Sequence, residues 1–93
     1  MAARVVIVTG GADGFGAAIA DRFLHDGCTV ILLDLNREKG EAKASCNSHV
    51  HFLYGDVARQ ETWEKALVMA REKYGRVDVI INNSWYVKYS HIA

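Results

Sequence analysis

Thr9-Gly10-Gly11-Ala12-Asp13-Gly14-Phe15-Gly16 joins an apolar run, Val5-Val6-Ile7-Val8, to a helix-like run from Ala17 to His25. Glycines at a strand-to-helix turn let backbone approach a pyrophosphate closely, because no Cβ stands in the way. The helix behind them offers N–H groups and the positive end of its dipole, which together suit an anion. Asp34 closes the next apolar run, Val30-Ile31-Leu32-Leu33, eighteen residues after Gly16. A dinucleotide fold places a ribose-binding acid about 20 residues beyond its glycines. A carboxylate there accepts two hydroxyl hydrogen bonds and repels a 2′-phosphate, so the pattern favours NAD over NADP. Arg37, three residues on, would soften that preference if it reached the phosphate; the alternative is an exposed arginine in the first turn of a helix. Asp13 puts an acid just before Gly14, where a binder of the phosphorylated cofactor would gain from a base.

These residues need strands and helices to hold them. Arg4 to Thr9 reads as a buried parallel strand, being short, continuous and β-branched. Gly16, Ile19, Ala20, Phe23 and Gly27 fall at helical spacing, which turns Ile19 and Phe23 toward a sheet and makes Gly27 a left-handed cap. Thr29 to Asp34 is the second strand. Asn36 is an N-cap for a short charged helix through Ala44, weakened by Gly40. Val50 to Tyr54 is the third strand, followed by a turn at Gly55-Asp56-Val57. Gln60 to Tyr74 is the clearest helix, with Trp63, Ala66, Leu67, Ala70 and Tyr74 in one stripe and Gly75 as its stop. Val77 to Asn82 is the fourth strand. Alternation of this kind predicts an α/β fold, a partial Rossmann-type parallel sheet with right-handed crossovers and helices on both faces. The expected strand order is 3-2-1-4, with a nucleotide crevice between strands 1 and 4.

Composition narrows the classes. The chain has 93 residues, enough for one domain, and 51 % of them are apolar. Eleven basic and eleven acidic residues cancel, which argues against an electrostatic hold on nucleic acid or an anionic membrane. No apolar run approaches the ~18 residues of a membrane span, and the start of the chain is too short for a secretory signal, so a cytoplasmic protein is expected. Cys28 and Cys46 are read as reduced thiols. His49 and His51 share a strand face but lack a third ligand, so no metal site is expected.

Four features in order, each at a strand end, resemble the short-chain dehydrogenase/reductase family: Thr9-Gly10-x-x-x-Gly14-x-Gly16, Asp34, Asp56-Val57 and Asn82-Asn83. The resemblance covers about residues 4 to 83, well under half of the family's usual domain. It implies that Gly10, Gly14 and Gly16 shape the pyrophosphate turn and that Thr9 helps hold it. Asp34 would bind the adenosine ribose, and Asp56 with the Val57 backbone would meet the adenine edge. Asn82 would tie the end of strand 4 to the loops beside the cofactor. Asp13, Phe15, Leu35 and Asn83 complete the implied cofactor-contacting set. Asp56 also reads as a plain turn residue or N-cap, and Asn82-Asn83 as loop support.

The sequence departs from the family after Asn83. The usual Asn-Asn-Ala-Gly becomes Asn82-Asn83-Ser84-Trp85, with an indole where the family has no side chain. The family's catalytic Ser and its Tyr-x-x-x-Lys pair have no counterpart. Tyr86 and Lys88 are two apart and would diverge on a helix, Tyr89 has no lysine after it, and Ser84 lacks an activating partner. The expectation is therefore the NAD-binding portion, 1–83, of a truncated short-chain oxidoreductase, with an irregular tail over 84–93 and no catalytic residues. Strand 4, with Val79-Ile80-Ile81, would be an apolar edge that pairs with a second copy or a partner subunit. A non-catalytic nucleotide-binding or regulatory module using that edge is the alternative. A methyltransferase is disfavoured by Thr9 at the first turn and by the Asn82-Asn83 pair.

Overall fold

The computed structural model describes residues 3–10, 12 and 14–83. The elements run β1 (Val5–Thr9), α1 (Gly14–His25), β2 (Thr29–Asp34), α2 (Arg37–Cys46), β3 (Val50–Tyr54), α3 (Gln60–Tyr74) and β4 (Val79–Asn82). The strands form one parallel sheet in the order β3-β2-β1-β4, as the alternation predicts. β1 is central, so all five of its residues are buried, and β2 is buried over Thr29–Leu33.

Strand periodicity sorts the core into two layers. Val6, Val8, Val30, Leu32 and Val50 point to the face covered by α1 and α2, where they meet Ala20, Ile19, Phe23 and Leu24. Val5, Ile7, Ile31 and Leu33 point to the opposite face and meet Ala66 and Ala70 of α3. Two helices cover one face and one covers the other. Small residues set how closely a helix approaches. A Cβ on Gly40 of α2 would overlap the ring of Phe52 in β3, and one on Gly55 would lie 2.6 Å from Thr62 Cγ2. Gly40 is thus a packing contact and not merely a weak point in its helix.

The ends of the elements have local causes. Asn36 Oδ1 accepts the Lys39 amide at 3.0 Å and starts α2. Gly27 (φ 87°) and Gly75 (φ 76°) stop α1 and α3 in the left-handed region. The Gly75 amide donates to the Ala70 and Arg71 carbonyls. Several bounds differ from the sequence reading. α1 takes in Gly14–Gly16, so its first turn is built from the glycine segment itself. α2 runs on to Cys46, and β1 begins one residue late, at Val5. β4 begins at Val79 instead of Val77, because the Val5 amide donates to the Asp78 carboxylate at 2.7 Å and not to a ladder carbonyl. Leu67, placed in the buried stripe of α3, is 42 % exposed, and Thr62, Trp63, Ala66, Met69, Ala70 and Tyr74 make the buried side instead. Cys28 is buried, Cys46 is exposed, and His51 meets the Tyr74 ring edge-on at 5.5 Å. The tail over 84–93, with Ser84, Tyr86, Lys88 and Tyr89, lies outside the described residues.

Candidate functional site

A parallel sheet gathers its strand ends at one edge, and helix connections leaving to opposite faces open a crevice there. β1 is flanked by β2 and β4, its connection to β2 passes over one face, and the connection into β4 passes over the other. The carboxyl ends of β1 and β4 therefore frame the crevice.

Thr9, fully buried, closes its floor. The Thr9 hydroxyl donates to Asn82 Oδ1 at 3.0 Å and accepts the Asn83 amide at 2.8 Å. Gly10 follows with φ 65°, and a Cβ there would stand 3.3 Å from Asn83 Nδ2. The glycine turn and the end of β4 thus lean directly on one another. Gly14 has φ 55°, with open space where a Cβ would be, and Gly16 is buried in α1. Gly11 and Asp13 lie outside the described residues. Phe15, in the first turn of α1, is 82 % exposed, and Leu35 is 50 % exposed.

Asp34 stands beside the glycine turn. One carboxylate oxygen accepts the Ala12 amide at 3.0 Å and the other accepts the Asn36 amide at 3.0 Å. An ionised carboxylate has about four acceptor positions, and the Ala12 and Asn36 amides use two of them. The acid thus braces the glycine turn through the Ala12 amide and the start of the β2–α2 connection through the Asn36 amide. Asp56 Oδ1 accepts the Ala58 amide at 2.9 Å, the turn role that its sequence context also allowed. The Val57 carbonyl accepts Trp63 Nε1–H at 2.9 Å, which pins this turn to α3.

Beyond Asp34 the ends of β2 and β3 enclose a cleft of about 440 Å³, lined by Leu35, Tyr54, Asp56, Arg59, Thr62 and Lys65 among others. Sequence reasoning missed Tyr54, although it ends β3 in register with Asp34. Arg37 Cζ lies 4.2 Å from the Tyr54 ring centroid. A larger hollow of about 510 Å³ lies along α3, between Glu61 and Lys73. Its lining residues all come from that helix and include no strand end or glycine, so the sheet-end cleft is the candidate site.

The groups with perturbed ionisation sit elsewhere. The Arg76 guanidinium, hydrogen-bonded to Asp78, holds that carboxyl below its ordinary value, with the Val5 amide adding to the effect. Burial, and then Lys73, lower the His51 imidazole. Both lie toward the amino ends of the strands, away from the cleft, and belong to the support of the fold. Among the described residues no cluster of three or more His, Cys, Asp or Glu could hold a metal. No helix among them is long and apolar enough to cross a membrane.

Known proteins agree with this architecture. The family described as short chain dehydrogenase matches residues 4–88. The chain is 43 % identical over 79 residues to 3-hydroxyacyl-CoA dehydrogenase type-2 of Bos taurus, covering 84 % of this chain and 30 % of that protein. It is 36 % identical over 85 residues to L-fucose dehydrogenase of Bos taurus, covering 91 % and 32 %. A short chain dehydrogenase from Bacillus anthracis str. 'Ames Ancestor' superposes with a TM-score of 0.81 at 32 % identity, over 87 % of this chain and 34 % of that one. The chain spans about a third of the length of these relatives. The family uses NAD(P) and is often oligomeric. From its glycine turn to the paired asparagines closing β4, this chain belongs to the short-chain dehydrogenase family, and it corresponds to an N-terminal part of that fold.

Proposed function

We propose that residues 1–83 form the cofactor-binding portion of a short-chain oxidoreductase that interconverts an alcohol and a carbonyl, and that the cofactor is NAD. The observation that carries this reading is the Asp34 carboxylate bonded to the Ala12 amide, which sets an acid at the side of the glycine turn that opens α1. Gly10, Gly14 and Gly16 would receive the pyrophosphate, with Thr9 fixing the turn against Asn82 and Asn83. Asp34 would accept the ribose hydroxyls and disfavour a 2′-phosphate by charge. Asp13 would add to that disfavour. Leu35, Asp56 and Val57 would border the adenine, and exposed Phe15 and Leu35 are apolar surfaces of the kind a bound ring covers.

Bound nicotinamide supplies or takes the hydride; this chain's residues bind and orient the dinucleotide and fix the walls of its cleft. The sequence contains no Tyr-x-x-x-Lys pair, so the proton donor of the family reaction is not assigned to any residue of this chain. A second reading, a non-catalytic nucleotide-binding module, draws on β4. Ile80 is half-exposed, and β1 is the only strand paired with β4 among the described residues. Such an edge offers backbone for a second copy or a partner subunit.

Isothermal calorimetry on the full chain, with folding checked by circular dichroism, tests the binding claim. NAD is expected to bind, and Asp34→Ala is expected to weaken it by about tenfold or more, since two charge-assisted hydrogen bonds are lost. A folded chain that ignores NAD, or an Asp34→Ala variant that binds it equally well, overturns the reading. Sedimentation of the apo chain addresses the second reading through self-association.

A further inference from the structure

We infer that Trp63 is a positioning residue for the nucleotide base: its indole N–H sets the turn at Asp56-Val57 in the pose that meets adenine. The inference rests on the dinucleotide reading above and adds a residue to it. Trp63 lies in the first turn of α3 and packs, half-buried, into the cluster that holds Leu53 and Val57. By spacing alone it is one more member of the buried stripe. Its Nε1–H, however, donates to the Val57 carbonyl at 2.9 Å. A buried indole N–H calls for an acceptor, and this acceptor belongs to the turn that follows β3.

The turn is closed within itself and tied on both sides. The Arg59 amide donates to the Asp56 carbonyl at 2.9 Å, and the Ala58 amide donates to Asp56 Oδ1 at 2.9 Å. On the strand side the Gly55 amide donates to the Asp34 carbonyl at 3.2 Å. On the helix side Gly55 leaves no room for a Cβ against Thr62. Arg59, the N-cap of α3, makes no side-chain cap bond, so the side-chain tie at this junction comes from Trp63. The Asp56 carbonyl and the Val57 amide share one peptide plane and point opposite ways. The bond from Arg59 therefore turns the Val57 amide away from the interior of the turn. Trp63 fixes the next plane, Val57–Ala58, through its carbonyl. Asp56 lines the cleft. Its carboxylate and the Val57 amide are an acceptor and a donor adjacent in the chain, which suit the amino group and a ring nitrogen of adenine.

The test titrates the full chain with NAD and with its hypoxanthine analogue by calorimetry, in wild type and Trp63→Phe, with folding checked by circular dichroism. Phenylalanine keeps an aromatic ring in the packing and removes the N–H. Hypoxanthine carries a carbonyl for the amino group and a proton on the ring nitrogen, so it cannot use the turn in the same way. Trp63→Phe is expected to weaken NAD about fivefold, the size of one neutral hydrogen bond, and the analogue less than about twofold. The Ala58 and Arg59 amides, which close the turn, should exchange faster in the variant, while the amides of fully buried Ile7 and Ile31 do not. Equal weakening of both dinucleotides makes Trp63 a general support of the fold and overturns the inference. Unchanged NAD binding by the folded variant overturns it too, and the dinucleotide reading survives either result. If a folded wild-type chain binds neither dinucleotide, both fall. Where Trp63→Phe does not fold, the wild type decides: AMP is expected to shift the Trp63 indole N–H resonance, and an unmoved resonance overturns the inference.

Discussion

Replacing Thr9 by Val tests whether the glycine turn and the end of β4 are held together by one hydroxyl. Valine keeps the shape and removes the oxygen. Two hydrogen bonds go with it, the one donated to Asn82 Oδ1 at 3.0 Å and the one accepted from the Asn83 amide at 2.8 Å. Leaving a buried polar group unsatisfied costs about 1–3 kcal/mol. Thr9 is fully buried, but Asn82 is exposed and Asn83 half-buried, so water recovers part of the loss. A cost of about 1–2 kcal/mol is expected, which lowers Tm by about 5–15 °C in a domain of this size. Thr9→Ser is the control, since it keeps the hydroxyl and gives up one buried methyl, about 0.8 kcal/mol. Thermal melts rank the variants, and amide hydrogen exchange reads the site. The Asn83 amide should lose protection in Thr9→Val and keep it in Thr9→Ser. Equal losses of stability in the two variants, or unchanged protection of Asn83, would refute the argument.

Gly40→Ala sets helix propensity against packing. Alanine gains about 1 kcal/mol in a helix interior, yet its Cβ would overlap the Phe52 ring, and overpacking costs about 1–3 kcal/mol. A net loss is expected in wild type and little or none in a Phe52→Leu background; a higher Tm for Gly40→Ala alone sinks the packing claim. Stability should also fall in two acid steps. His51 is held below its ordinary 6.5, so the unfolded chain takes the proton first, and stability drops as pH falls from about 6.5 to the lower folded value. Asp78 is held below its ordinary 3.8, so its contribution is present above that pH and disappears as pH falls through its lower folded value. Urea titrations from pH 8 to 3 would show both steps, with His51→Gln removing the first and Asp78→Asn the second.

The strands were legible because a parallel sheet buried on both faces demands unbroken apolar runs, and Val5–Val8 and Val30–Leu33 are such runs. β2, β3 and α3 agree with the sequence reading residue for residue. The start of β4 was not legible. Val77 and Asp78 look like strand residues until the Asp78 side chain is seen to occupy the position of a ladder acceptor. Leu67 shows the limit of helical spacing, since a stripe drawn on one helix does not say how far the neighbouring sheet reaches beneath it. The placement of the glycine turn after β1, of Asp34 at the end of β2 and of the Asn82-Asn83 pair at the end of β4 could be read, because residue types and distances from the apolar runs suffice. Tyr54 with Arg37, Ala12 with Asp34, and Gly40 with Phe52 depend on the register between separate elements, and single-sequence periodicity carries no register.

The placement of β1 between β2 and β4 has a consequence for synthesis. Thr9 finds its partners at positions 82 and 83, more than seventy residues later. On a ribosome adding about 5–20 residues per second, β1 waits on the order of 10 s with one flank unpaired. Contacts this distant in sequence are made late and slow the search for the native state. The nascent polypeptide must therefore shield its central strand until β4, the last of these elements, has emerged, and the β1–β4 crevice can take shape only then.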